Sequence, residues 1–76
     1  MKFVIVGGGG YIGYHIGKDL KSKGHSVLLA DITNPDPEWG HCDIPSAKTN
    51  ILDPNALEDA FKGADCVIHC GNASPL

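Results

Sequence analysis

Four consecutive glycines, Gly7 to Gly10, lie directly behind the apolar run Phe3-Val4-Ile5-Val6 and directly ahead of a helix-like stretch that ends near Lys23. The order is strand, glycine turn, helix. Gly7, Gly10 and Gly13 fall three residues apart, and each has a physical use: a tight exit from the strand, a bare backbone over a pyrophosphate, and close packing of helix on sheet. The unpaired amides and the positive dipole end of the helix then face the phosphates. Four adjacent glycines offer several registers, and flexible linkers have a similar composition, so the flanking elements carry the argument.

The next strand-like run, His25-Ser26-Val27-Leu28-Leu29-Ala30, ends in Asp31, eighteen positions beyond Gly13. This is close to the roughly 20 residues that separate a phosphate-binding turn from a ribose-binding carboxylate. Asp31 is placed to accept from ribose hydroxyls, although a lone aspartate at a strand end also serves as a turn former. A carboxylate here repels a 2′-phosphate. The chain contains no arginine to clamp such a phosphate, so the pattern favours NAD over NADP.

With 76 residues there is material for one small core, whereas a complete dehydrogenase needs a dinucleotide domain and a place for its substrate. The expectation is therefore a partial NAD-binding domain over residues 1–76, without catalytic and substrate-binding parts. A charged fraction of 20% and a net charge of −3 leave no basic footprint for nucleic acid. No apolar stretch reaches transmembrane length, and the N-terminal run is too short for a signal peptide, so no membrane is implied and a cytoplasmic location is expected. Cys42, Cys66 and Cys70 form an odd set that reads as reduced thiols. His41-Cys42 and Cys66-x-x-His69-Cys70 offer metal-ligand types, but no paired C-x-x-C motif supports a metal site. Cys66 and Cys70 read instead as small buried residues on one strand face.

Within the first helix Ile12, Ile16 and Leu20 recur every four positions, and Gly13 and Gly17 permit close approach to a sheet. Lys18, Lys21 and Lys23 suit its C-terminal end, and Gly24 stands where a left-handed cap belongs. From Ile32 to Ser46 prolines and polar residues indicate a long surface loop with Trp39 as a packing anchor. Ala47-Lys48-Thr49 is a weakly signalled third strand. Asp53-Pro54 starts a second helix with the apolar stripe Leu57, Ala60 and Phe61, closed by Gly63. Asp65 to Gly71 is a continuous apolar run of the type buried on both faces of a parallel sheet. The pattern predicts an α/β fold, the N-terminal half of a doubly wound Rossmann fold with a parallel sheet of order 3-2-1-4 and its ligand above the carboxyl ends of the strands.

Gly7-Gly8-Gly9-Gly10-Tyr11-Ile12-Gly13, Gly24-His25 leading to Asp31, and Val67-Ile68-His69 together resemble the extended short-chain dehydrogenase/reductase superfamily over nearly the whole chain. The glycine segment resembles the sugar-nucleotide epimerases, whereas His69-Cys70 followed by Ala73-Ser74-Pro75 resembles the 3β-hydroxysteroid dehydrogenase branch. The resemblance assigns Gly7, Gly10, Tyr11 and Ile12 to the pyrophosphate turn, with Gly13 beneath it, and Asp31 to the adenosine ribose. It assigns Asn50 and Ile51 to the adenine edge, and Cys70 and Gly71 to the cofactor's side after the fourth strand. Val6 and Asn50 depart from the usual threonine and aspartate. Asn50 still carries an acceptor and a donor suited to adenine.

Catalysis in that superfamily rests on a tyrosine and a lysine four residues later. Tyr14 and Lys18 have this spacing but lie in the phosphate-binding helix, and the pair reads as a surface coincidence. His15 reads as an exposed helix residue, and His69 as a buried structural ring. Two accounts of function follow. In one the chain is the NAD(H)-binding portion of an oxidoreductase or epimerase acting on a hydroxyl or keto group of a sugar nucleotide or steroid-like substrate, itself lacking the catalytic pair. In the other it is a stand-alone, non-catalytic nucleotide-binding or partner-docking module. The open sheet edges favour pairing with another chain, a homo-oligomer included.

Overall fold

The computed structural model describes residues 1–32, 35–39 and 44–70. Strand β1, Lys2–Val6, runs up the middle of a four-stranded sheet. Its β-branched residues pair in parallel on one side with β2, Ser26–Asp31, and on the other with β4, Cys66–His69. A short β3, Ser46–Lys48, pairs in parallel with the end of β2. The order β3-β2-β1-β4 is the one expected from right-handed crossovers. β3 lies one residue earlier than the weak sequence signal indicated.

Two helices cover opposite faces. Helix α1, Tyr11–Ser22, packs over Ile5, Val27 and Leu29, and helix α2, Pro54–Phe61, brings Ala60 against Val4 and Ala30. α1 ends as its sequence indicates: Gly24 adopts φ +89°, its N–H donates to the Lys21 carbonyl, and the His25 N–H donates to the Leu20 carbonyl. This pair of bonds satisfies carbonyls that the helix end would otherwise leave open. α2 starts on Asp53, whose carboxylate accepts from the Asn55 and Ala56 amides at 3.0 and 3.4 Å, with Pro54 at the first helical position. Among the described residues no helix is long and apolar enough to cross a membrane.

The apolar stripe of α1 differs from its sequence expectation. Ile12 is 68% exposed, and the face turned to the sheet is Gly13, Tyr14 and Gly17, with Ile16 and Leu20 half-buried at its margin. The glycines decide this. A Cβ on Gly17 would lie 3.0 Å from Leu29 Cδ2 and 3.3 Å from Ile5 Cδ1, so the helix is seated on its side-chain-free ridge and Ile12 rotates outward. Tyr14 is therefore a core residue, 2% exposed, rather than a surface one. The Lys18 ammonium lies 5.9 Å from the centroid of the Tyr14 ring.

β4 also departs from expectation. It is not buried on both faces: Val67 and His69 are exposed, as is Cys66, and Cys70 is only half-buried. The cause is position. β4 is an edge of the described sheet, and the buried cluster beneath α2 is built from Val4 and Ala30, with Leu28 packed against it. His69 is consequently not the buried structural ring that its apolar neighbours suggested.

The segment after β2 behaves as an anchored loop. Trp39, at the end of a 3-10 turn over Pro37–Trp39, packs against the core on the α1 side, and Ile44 is buried there. The Trp39 ring lies 5.5 Å from Tyr11, 5.7 Å from Tyr14 and 6.2 Å from His15, centroid to centroid. His15 is held among these aromatics and is half-buried rather than exposed. His41 and Cys42 lie outside the described residues.

Candidate functional site

The carboxyl ends of β1, β2 and β3 and the residue after β4 lie at the same end of the parallel sheet, and Gly7, Gly10 and Asp31 stand there. Gly7 leaves β1 at φ +82°, a conformation that favours glycine, and its N–H donates to the Ala30 carbonyl at 2.8 Å. Gly7 accepts in turn from the Gly10 N–H at 3.1 Å, closing the turn. Gly10 is the N-cap of α1 and is exposed. No side chain caps that helix end, and its first turn contains no acidic residue. The opening amides of Tyr11 and Ile12 therefore face the sheet edge with the dipole's positive end and no competing carboxylate of their own turn.

The structure selects one register from the run of glycines and shows what each position does. A Cβ on Gly13 would lie 2.5 Å from the Gly7 oxygen and 3.0 Å from Gly8 Cα, so the start of α1 rests directly on the turn. A Cβ on Gly10 would meet only the Gly7 oxygen, at an ordinary 3.5 Å, so its bareness serves the open side. Gly8, which the three-residue spacing passes over, faces inward, where a Cβ would come within 2.8 Å of Leu29. Nothing in the local spacing signals that contact, because it depends on a strand twenty residues away.

Asp31 closes β2 half-buried, and its Oδ2 accepts from the Gly9 N–H at 3.0 Å. The carboxylate thus stands against the glycine turn itself. Its main-chain carbonyl accepts from the Thr49 N–H at 3.0 Å, and Thr49, 2% exposed, donates its hydroxyl to the Ala47 carbonyl. Beyond it Asn50 is exposed and its Oδ1 accepts from the Leu52 N–H at 2.9 Å, so the side chain is set by an Asx turn whose oxygen retains a second lone pair. Ile51 is half-buried in the same turn. On the other flank the Cys70 N–H donates to the Val6 carbonyl at 2.7 Å, which carries the chain past β4 beside the end of β1. Gly71 and the segment Ala73-Ser74-Pro75 lie outside the described residues. Tyr11 and Ile12 stand exposed at the mouth of the turn, 61% and 68% accessible.

The set fits a dinucleotide: main-chain donors at a glycine-bounded helix start for a diphosphate, and one strand over a carboxylate for ribose hydroxyls. Among the described residues no group of three or more histidine, cysteine, aspartate or glutamate side chains converges in a way that could hold a metal ion.

Comparison with known proteins agrees with this geometry. Residues 3–75 match the family described as NAD dependent epimerase/dehydratase. Short-chain dehydrogenase/reductase family 42E member 1 of Xenopus laevis is 42% identical over 66 residues, covering 87% of this chain and 17% of that protein. The 2-alkyl-3-oxoalkanoate reductase of Stenotrophomonas maltophilia is 32% identical over 71 residues, covering 93% of this chain and 21% of that protein. Among solved structures, the UDP-glucose 4-epimerase of Thermus thermophilus in complex with NAD superposes with a TM-score of 0.77 at 27% identity, over 97% of this chain and 25% of that one. The chain spans about a fifth of the length of the curated relatives it matches. On the matched residues, the glycine turn and the strand order, the chain belongs to the NAD dependent epimerase/dehydratase family, within the extended short-chain dehydrogenase/reductase superfamily.

Proposed function

We propose that these residues form the NAD(H)-binding portion of an oxidoreductase or epimerase that acts on a hydroxyl or keto group of a sugar nucleotide or a steroid-like substrate, in the cytoplasm. The observation that carries this reading is the contact of Asp31 with the glycine turn, which sets a carboxylate beside an uncapped helix start. Gly7, Gly10, Tyr11 and Ile12 hold the diphosphate through main-chain nitrogens, and Gly13 lets the helix approach closely enough to present them. Asp31 accepts from the adenosine ribose, Asn50 and Ile51 border the adenine, and Cys70 and Gly71 flank the cofactor beyond β4. When bound, the dinucleotide takes up or gives back a hydride at the substrate carbon. The proton-transferring pair is not Tyr14 and Lys18, because the Tyr14 ring is enclosed in the core beneath α1 and cannot reach a substrate hydroxyl.

Calorimetric titration with NADH and NADPH tests the proposal. NADH binds more tightly, by about tenfold or more, because a carboxylate opposes the 2′-phosphate. Gly10→Val abolishes binding while leaving the fold in place, since its Cβ meets only the Gly7 oxygen, at an ordinary 3.5 Å, and otherwise fills the open side of the turn. Equal binding of NADPH and NADH refutes the role given to Asp31.

A further inference from the structure

We propose that Asp31 is a positioning residue for the diphosphate turn as well as a ribose ligand, so that cofactor preference and the shape of the turn are carried by the same side chain. The part concerning cofactor affinity rests on the NAD(H) reading above; the part concerning the turn does not.

The argument starts from an accounting of main-chain donors. The turn has no side chains to stabilise it, and Gly9 is buried, so its N–H needs an acceptor within the protein. That acceptor is Asp31 Oδ2, at 3.0 Å. The neighbouring Ala30 carbonyl takes the Gly7 N–H at 2.8 Å. Two successive residues at the end of β2 therefore grip the turn, one through its main chain and one through its side chain. Asp31 is itself fixed from the opposite side, where its carbonyl accepts from the Thr49 N–H of the chain leaving β3. β3 thus supports β2, and β2 sets the glycine turn.

The consequence concerns substitution. If Asp31 served only the ribose, removing its carboxylate would exchange one cofactor for the other: repulsion of a 2′-phosphate would vanish and NADPH would gain what NADH lost. With the carboxylate also holding Gly9, a side chain without an acceptor releases a buried amide and loosens the turn, which penalises both cofactors. Asparagine separates the two roles, because it keeps an oxygen for the Gly9 N–H and discards the charge.

Amide hydrogen exchange on the ligand-free chain, with calorimetric titration of NADH and NADPH, decides the matter in the wild type, Asp31→Ala and Asp31→Asn. In the wild type the Gly9 amide exchanges about tenfold or more slowly than the Ile12 amide at the open helix start. Asp31→Ala accelerates Gly9 exchange by about tenfold while the Val4 and Leu29 amides stay protected, and Asp31→Asn leaves Gly9 within about threefold of the wild type. Asp31→Ala binds NADH and NADPH weakly, whereas Asp31→Asn narrows the gap between them by strengthening NADPH. Wild-type Gly9 exchange as fast as that of Ile12, unchanged Gly9 exchange in Asp31→Ala, or NADPH binding by Asp31→Ala as tight as wild-type NADH binding overturns the proposal. Should Asp31→Ala fail to fold, Asp31→Asn decides: retained Gly9 protection supports the proposal and lost protection in a folded chain overturns it. If the wild type binds neither cofactor, the NAD(H) reading fails, and the exchange measurements still decide the role of Asp31 in the turn.

Discussion

β1 and β4 are neighbouring strands of similar apolar character, yet their environments are opposite. Val4, Ile5 and Val6 are essentially inaccessible, whereas across the same ladder Val67 and His69 are exposed and Ile68 is half-buried. The difference is in what lies over them. Side-chain-free positions on α1 bring that helix down onto Ile5 and Leu29, and α2 covers Val4 and Ala30, while β4 occupies the rim. Burial in this molecule follows from position in the sheet and from how closely a helix can approach, and only secondarily from the hydrophobicity of the strand.

The sharpest way to break that comparison is Gly13→Val. Its Cβ would sit 2.5 Å from a main-chain oxygen with no flexible end to move, so the cost reaches or exceeds the ~3 kcal/mol upper range for overpacking, and circular dichroism should find the chain unfolded. Ile5→Ala tests the buried strand itself, with an expected loss of about 2–5 kcal/mol in urea titration. Its counterpart Val67→Ala, at an exposed rim position, should change stability by no more than about 0.5 kcal/mol. Equal losses at the two sites would mean that β4 is covered in solution. Smaller than the core effect is Asp53→Ala, which removes the cap of α2 and should lower stability by about 1 kcal/mol by the same titration without altering cofactor affinity.

Most of the architecture was readable because its signals are local. A glycine turn between a strand and a helix, an Asp-Pro helix start, and glycines at the points where Gly24 and Gly63 take positive φ each act within a few residues. Of the candidate site, Gly7, Gly10, Gly13 and Asp31 were visible through their spacing. What escaped depended on partners distant in sequence. Gly8 matters because of Leu29, Gly9 because of Asp31, and the half-burial of His15 because Trp39 lies against α1. The error at Ile12 has the same origin. A four-residue apolar repeat names a face, but the glycine ridge beside it approaches the sheet more closely and so wins the contact. The errors at Cys66 and His69 arose because an apolar run does not reveal whether its strand is central or lateral.

The central place of β1 has a consequence for how the protein is made. Lys2 donates its N–H to the Asp65 carboxylate and accepts from the Asp65 N–H, so β1 is completed by a segment that leaves the ribosome 63 residues after it. During synthesis one long edge of β1 stays unpaired until almost the whole segment has emerged. A nascent chain paused in the loop before α2 exposes Val4 and its neighbours, and this is the interval in which chaperone binding or mispairing competes with folding.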